Sequence, residues 1–208
     1  MNPNGVTCPA PDGSLYDRVA MLKDMGFRVE IVGQPITNTI LIENGHAHIN
    51  EKIENDVGIR DSTKLHVFRL VEHPVAVLFD YDKVFKYRVF DVIQSLREEE
   101  TIKGYYVRTP TCDSAGSSLV DTGFMLIKPS MEEFNNIVNT YLNTPYYPTT
   151  GWNGEGHHQC DGRLGLPGFL SYYFSKTPGY GKQYCLLCPN HAGVIFIVDP
   201  IANNVEIS

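Results

Sequence analysis

Five consecutive apolar residues at positions 75–79 (VAVLF) end directly at two carboxylates, Asp80 and Asp82. A continuous apolar run of this length is typical of a strand that is buried on both faces by helices. Apolar runs alternate with amphipathic segments along the rest of the chain, which favours an α/β layered architecture. We therefore expect residues 75–79 to form a central strand of an α/β domain.

Other segments carry local sequence signals for helices, strands and loops. In the first part of the chain, the patterns predict a strand at residues 6–8, a helix begun by Ser14 and ended by Gly26, a strand at residues 27–32, and a helix that starts at Asp61 or Ser62. Further on they predict a helix at residues 89–96, strands at 104–108 and 122–128, a helix opened by the capping box of Ser130 and Glu133, a long loop at 144–168, and a short helix at 168–174.

Composition narrows the class of protein. A length of 208 residues suits a single domain spanning residues 1–208, and 42% apolar with 20% charged residues is typical of a folded globular protein. The net charge of −7, without basic runs, argues against a nucleic-acid partner. Any phosphate-bearing ligand would need a local source of positive charge, such as a bound cation, to offset this charge.

Compartment is predicted from what the sequence lacks. The first residues have no signal-peptide pattern, and no apolar stretch approaches the ~20 residues that span a bilayer. The five cysteines are an odd number, which favours free thiols in a reducing compartment. The chain as it stands is expected to be cytoplasmic, and a Golgi or secretory location stays open if an anchor precedes Met1.

The two carboxylates after the apolar run are candidate metal ligands. In an extended segment, Asp80 and Asp82 lie on one side, separated by Tyr81. Two hard oxygen donors in that arrangement suit Mg²⁺ or Mn²⁺, and the ion in turn suits a diphosphate. A polar turn that follows a strand is the simpler reading of the same three residues.

Several motifs in the same order resemble the family 8 glycosyltransferases, the group that includes glycogenin. Residues 62–70 (STKLHVFRL) resemble the family's T-K-L-x-x-F/W helix, and residues 77–82 (VLFDYD) resemble its strand ending in D-x-D. Residues 121–130 (DTGFMLIKPS) resemble the N/D-S/T-G-x-x-x-x-x-P-S segment, and residues 168–174 (GFLSYYF) the G-x-L-N-x-x-F helix. The likeness runs from about residue 6 to 174, leaving 175–208 as a divergent tail. Residues 144–174 are similar to a subgroup found in algae and other microbial eukaryotes.

This resemblance implies a GT-A fold, with a mixed sheet flanked by helices, and retaining transfer of a hexose from a UDP-sugar with Mn²⁺. Asp80 and Asp82 would hold the metal. Asp80 would also approach the donor's ribose or sugar, and Tyr81 would lie close to the nucleotide. Lys64 would reach the sugar phosphate. Asp121 would hydrogen-bond the transferred sugar or the acceptor, as the catalytic residue, and Gly123 would keep the backbone close there. The acceptor, a glycan, a protein or a lipid, stays open, as does homodimer formation.

Each of these residues also has an ordinary structural role available to it. Lys64 suits an exposed helix lysine, Asp121 suits a turn cap, and Tyr81 suits the core.

Three family segments have no counterpart here. Residues 6–11 (VTCPAP) resemble the family's second strand, so its first strand is missing, and residues 195–198 (IFIV) are a candidate to pair with the sheet in its place. The family's D-Q-G triplet appears as Leu166-Pro167-Gly168, and Gln159 and Asp161 nearby do not align with it. The terminal H-F-x-G-x-x-K-P-W segment, with its histidine metal ligand, is also missing, and the surroundings of His191 do not match it.

Two other classes of function follow from these departures. One is a catalytically silent or truncated glycosyltransferase-like module that binds a sugar or a partner. The other is a zinc-stabilised interaction domain, in which Cys185, Cys188 and His191 would be completed by His157, His158 or Cys160. A pair of core cysteines with loop histidines is the simpler reading of that pattern.

Overall fold

The structure is a computed structural model that describes residues 7–9, 15–43, 60–80, 84–85, 90–109, 119–155, 164–180, 183–184 and 194–195. The chain divides into two compact units, Met1–Gly33 and Gln34–Ser208. Each unit is described by itself.

The first unit contains a small hairpin followed by one helix. Strand β1 (Thr7–Pro9) pairs antiparallel with β2 (Leu15–Asp17), and helix α1 (Arg18–Asp24) follows directly. Gly26 ends the helix as expected, at a φ of 88°. Its N–H donates to the Lys23 carbonyl at 2.9 Å, and the Phe27 N–H donates to the Leu22 carbonyl at 3.0 Å, which is the Schellman arrangement.

Two expectations for this unit are wrong. The helix does not start after Ser14, because residues 15–17 are extended and paired with β1. Residues 27–32 do not form a strand, although their side chains alternate in character. Phe27 is 56% exposed and Ile31 is 71% exposed, so the apolar face of this segment is not packed as a strand in a sheet would be.

The second unit is built around a four-stranded sheet. Its first elements along the chain are α2 (Asn38–Glu43), a 3₁₀ helix (Arg60–Arg69), β3 (Ala76–Phe79), β4 (Val84–Phe85), α3 (Phe90–Glu98) and β5 (Gly104–Arg108). They are followed by β6 (Val120–Ile127), α4 (Met131–Asn143), β7 (Tyr146–Tyr147), β8 (Gly151–Trp152), α5 (Leu166–Lys176), β9 (Gln183–Tyr184) and β10 (Val194–Ile195).

The strand order of the sheet is β3-β6-β5-β9. Strand β6 runs antiparallel to β3 and β5, and β9 runs parallel to β5, so the sheet is mixed. The expected strand after residue 75 is present, but β3 has one strand neighbour, β6, within the described residues. Its exposure rises from 6% at Ala76 to 53% at Phe79. The expectation of a central, fully buried strand is therefore wrong for β3, and β6 has that role instead.

Side chains of β6 alternate between two apolar clusters. Phe124 and Leu126 pack with Val92 and Leu96 of α3. Met125 and Ile127 belong to the larger cluster, which includes side chains of the 3₁₀ helix, α4 and α5. Helices therefore cover both faces of the sheet, and the expected α/β layering is confirmed at this level. Within the described part of the chain, no helix is long and apolar enough to cross a membrane.

The connections to the sheet differ from expectation in two places. Strand β10 pairs in parallel with β4 in a separate two-stranded sheet, so Val194 and Ile195 do not join the main sheet. Instead, β9 pairs with β5. The predicted loop at residues 144–168 contains the β7–β8 hairpin, and α5 begins two residues before its predicted start, with a proline in its first turn.

Candidate functional site

Lys64 lies between two carboxylates. Its Nζ is 3.0 Å from Oδ2 of Asp80 and 3.3 Å from Oδ1 of Asp61. The side chain of Lys64 is 17% exposed, while those of Asp61 and Asp80 are 21% and 35% exposed. An ammonium group so enclosed by two anions is held in position more firmly than an ordinary surface lysine.

The 3₁₀ geometry of the helix explains how Asp61 reaches Lys64. Three residues make one turn of a 3₁₀ helix, so the side chains of residues i and i+3 lie directly above one another. Leu65 and Phe68, on the same helix, are fully buried and fix its orientation against the sheet. The Ser130 N–H donates to the Phe68 carbonyl at 2.8 Å and ties the helix to the start of α4.

A short chain of hydrogen bonds connects Asp80 to Asp121. The Asp80 N–H donates to the Gly123 carbonyl at 2.9 Å, and the Gly123 N–H donates to Oδ1 of Asp121 at 2.8 Å. Asp121 therefore bends its carboxylate back over its own strand, in the manner of an Asx turn. Gly123 is shared between the two aspartates, so a change at this residue affects both.

An irregularity in β6 creates this arrangement. Along β5, the consecutive residues Tyr106 and Val107 pair with Met125 and Asp121, which leaves residues 122–124 of β6 without partners on that side. On the other side, Phe124 stays paired with Phe79 of β3. Bulges bend a strand locally and re-aim its side chains, and they occur often beside functional sites. Here the bulge lies at the carboxyl end of β3, where ligands commonly bind in α/β sheets.

The structure thus brings together four of the six residues that the sequence singled out: Lys64, Asp80, Asp121 and Gly123 form one continuous set of contacts. Tyr81 and Asp82 lie outside the described residues, as do all six candidate zinc ligands. Among the side chains that are described, no three of His, Cys, Asp or Glu come together as a ready metal site.

Of the two carboxylates that the sequence offers as metal ligands, Asp80 is described, and its Oδ2 is paired with Lys64. Carboxylate oxygens of Asp61 and Asp80 flank a positive charge, and carboxylate oxygens are the ligands that Mg²⁺ and Mn²⁺ prefer. The sequence adds Asp82 two residues after Asp80. Asp80 and Asp82 are therefore the residues that would hold such an ion.

Sequence reasoning missed two residues of this region. The sequence predicts a helix cap at Asp61, and its spacing D-x-x-K also indicates an ion pair with Lys64. The sequence predicts Ser171 only as part of a short helix, yet it is 3% exposed and accepts a hydrogen bond from the N–H of Val120, the residue next to Asp121. A polar residue inside an otherwise aromatic helix is the signal that could have identified Ser171.

The start of α5 is apolar. Leu166 is 1% exposed and packs into the main apolar cluster, and Pro167 lies in the first turn of the helix. Neither side chain has a polar atom. Gln159 and Asp161 lie outside the described residues, so the described part of this helix start offers no carboxylate or amide side chain.

A second polar cluster lies at the opposite end of β6. The Glu133 carboxylate is 5% exposed and accepts hydrogen bonds from Lys103 Nζ and the Tyr173 hydroxyl, both at 2.7 Å. Burial, and then the nearby Glu133 carboxylate, raise the pKa of Tyr173, so its hydroxyl stays a donor at neutral pH. The expected capping box is half correct, because Ser130 accepts from the Glu133 N–H at 3.2 Å while the Glu133 carboxylate bonds these tertiary partners.

Comparison of the chain with protein-family models, with curated proteins and with solved structures finds no match. The assignment of a function therefore depends on the residues and geometry described above.

Proposed function

We propose that this protein is a metal-dependent glycosyltransferase of the GT-A type, which transfers a hexose from a UDP-sugar with retention of configuration. The observation that carries the proposal is the convergence of Lys64, Asp80, Asp121 and Gly123. They come from three segments that are far apart in sequence, a helix, a strand end and a bulge, and the contacts run from Lys64 to Asp80, from Asp80 to Gly123 and from Gly123 to Asp121. Ordinary surface roles for the same residues would not require them to lie together.

The architecture around the site supports the same proposal. A mixed sheet with helices on both faces is what the resemblance to family 8 glycosyltransferases implies. The T-K-L segment, the D-x-D strand and the D-T-G segment are the three motifs that meet at the site. Motifs that match a family in order, and then also meet in space, are more specific than any one of them alone.

The proposed roles of Lys64, Asp80 and Asp82 follow from their charges. The chain is acidic overall, so a diphosphate needs local positive charge to bind. Lys64 supplies one such charge, and in the proposed complex its ammonium donates to a phosphate oxygen of the donor. Asp80 and Asp82 would hold Mn²⁺, which would supply positive charge to offset that on a departing diphosphate.

Asp121 has the role closest to the transferred sugar. Its carboxylate accepts hydrogen bonds only, so it suits sugar hydroxyl groups as donors. The Gly123 N–H holds this carboxylate in place, which leaves less conformational entropy to be lost on binding. Gly123 has no side chain, so the backbone there can approach the ligand closely.

The test is release of UDP from UDP-hexoses in the presence of Mn²⁺, for the native chain and for the variants K64M and D121N. Transfer to water makes the assay independent of the unknown acceptor. We expect turnover by the native chain and a loss of at least about tenfold in kcat/KM for each variant, because each removes a charged hydrogen bond to the donor. D91N is the matched control, since Asp91 is exposed on α3. Equal activity of the native chain, K64M and D121N would refute the proposed roles.

A second candidate, a silent binding module, is favoured by one observation. Leu166 and Pro167 stand where the family has an acid and an amide, and Leu166 is buried in the core. Such a module would bind UDP with Mn²⁺ but release no UDP from any UDP-hexose. Binding without turnover therefore selects this candidate, and turnover excludes it.

A further inference from the structure

The backbone at the start of β6 has a hydrogen-bond requirement that the sheet does not meet. On one side, Leu119 is paired with Thr109, whose N–H donates to the Leu119 carbonyl at 2.8 Å. The next residue, Val120, directs its N–H to the other side of the strand. There, β3 has already ended opposite Phe124, so no residue of β3 is in register with Val120.

A side chain of α5 supplies the acceptor for the Val120 N–H. The Ser171 hydroxyl accepts from the Val120 N–H at 2.7 Å and donates to the Pro167 carbonyl at 2.7 Å. Val120 is 1% exposed and Ser171 is 3% exposed, so water does not compete for either group. A buried N–H without an acceptor is costly, so the hydrogen bond to the Ser171 hydroxyl holds the backbone at Val120 in place.

The position of this contact gives it a further consequence. Val120 immediately precedes Asp121, at the beginning of the bulge that carries Asp121 and Gly123. Pro167 lies in the first turn of α5. One hydroxyl therefore joins the backbone next to Asp121 to the first turn of α5.

We propose that Ser171 is a positioning residue, whose hydroxyl sets the bulge that presents Asp121 and Gly123 relative to the first turn of α5. The expected effect of Ser171 on turnover rests on the proposed function. The expected effect of Ser171 on the backbone of β6 does not depend on that function. Ser171 acts through Val120 and touches neither donor nor metal. Its loss is expected to slow the chemical step and to leave nucleotide affinity intact.

Two variants and one control separate positioning from simple stability. S171A removes both hydrogen bonds. S171T keeps a hydroxyl, and a threonine in a helix can still bond the carbonyl four residues back. Y173F is the matched control, because it removes a buried 2.7 Å hydrogen bond from the same helix, at the opposite end of β6.

The first readout is amide hydrogen exchange, which requires no substrate. We expect S171A to accelerate exchange at Val120 and Gly123 by about tenfold, since a hydrogen bond that closes this segment is gone. Y173F is expected to leave these two amides unchanged. Equal exchange at Val120 and Gly123 in S171A and Y173F would overturn the proposal.

The second readout is UDP release from UDP-hexoses with Mn²⁺, together with the Kd for UDP. S171A is expected to lose about tenfold in kcat with the Kd changed less than twofold, and S171T to recover most of that loss. An unchanged kcat in S171A would also overturn the positioning role. If the native chain itself releases no UDP, the proposed enzyme fails, and the exchange experiment alone then decides whether Ser171 sets the bulge.

Discussion

Glu133 provides the sharpest test of the packing between the helices and the sheet. Its carboxylate is almost fully buried and accepts hydrogen bonds from the Tyr173 hydroxyl and the Lys103 ammonium. Tyr173 is 6% exposed, whereas the side chain of Lys103 is 45% exposed. We predict that E133A destabilises the protein markedly, while E132A, at the neighbouring exposed glutamate, has a small effect.

The magnitude follows from what each partner loses. Leaving the Tyr173 hydroxyl buried without an acceptor costs about 1–3 kcal/mol. Lys103 can be rehydrated, so its lost ion pair adds at most about 1 kcal/mol. Loss of an anion from the first turn of α4 costs a further ~0.3–1 kcal/mol, and E132A has the same effect. The difference between the two variants is therefore expected to be about 1–4 kcal/mol in the free energy of unfolding.

Urea denaturation at pH 7, followed by circular dichroism, measures this difference. Replacement by glutamine gives an intermediate check, since E133Q keeps an acceptor for Tyr173 and loses only the charge. The predicted order of stability is native, E133Q and then E133A, with E132A near native. If E133A unfolds at the same urea concentration as E132A, the buried hydrogen bonds of Glu133 do not stabilise the fold and the reasoning is refuted.

Three further predictions concern other parts of the chain. G104A should destabilise the protein by about 1–3 kcal/mol, because a Cβ there would lie 2.8 Å from the Leu126 carbonyl oxygen. G33A is the control in the same urea assay: a Cβ at Gly33 would have no atom within 4 Å, so the free energy of unfolding should change by less than ~0.5 kcal/mol. Stability should fall as pH rises above about 10, because burial raises the pKa of Tyr141, Tyr173 and Tyr180, so the native state keeps protons that unfolded tyrosines lose. Y141F should make that fall shallower, and an unchanged slope in urea midpoints between pH 8 and 11 would contradict the assignment. Mutation of Ser130 to alanine should cost about 1 kcal/mol in thermal or urea unfolding through the loss of its N-cap bond to Glu133, and an unaltered transition would show that the cap is not needed.

Much of the fold was accessible from the sequence because its signals are local. The apolar segments at residues 104–108 and 122–128 and the capped helix after Ser130 are found close to their predicted bounds. The glycine cap at Gly26 was also predictable, since a residue at positive φ after an amphipathic run is a typical helix end. These features need little information from distant parts of the chain.

Features that depend on distant partners were predicted less well. Residues 27–32 have the alternation of a strand, but a strand requires a neighbour that a local pattern does not specify. Glu133 has the spacing of a capping box, yet a buried hydroxyl and an ammonium compete for its carboxylate. The apolar run before Asp80 predicted a strand correctly and its central position incorrectly, because strand order depends on the register of β6.

In the candidate site, too, the local features were predictable from the sequence and those that depend on distant partners were not. Motif resemblance identified Lys64, Asp80, Asp121 and Gly123, and the structure brings them into contact. The bulge in β6 has no local signature, because it arises where β3 ends and β6 continues. A polar residue among aromatic ones singles out Ser171, but its partner Val120 lies in a distant strand. The D-x-x-K spacing is a local signal for the ion pair between Asp61 and Lys64, and the 3₁₀ geometry of the helix brings the two side chains together.

The most direct test of the donor site is a calorimetric titration of UDP into the purified chain, with and without Mn²⁺. We predict binding that depends on Mn²⁺, that weakens by at least about tenfold in D80N and D82N, and that is retained in D91N, because only the first two remove proposed metal ligands. Failure of the native chain to bind UDP at any Mn²⁺ concentration, or equal binding by native chain, D80N and D82N, would contradict the proposed donor site.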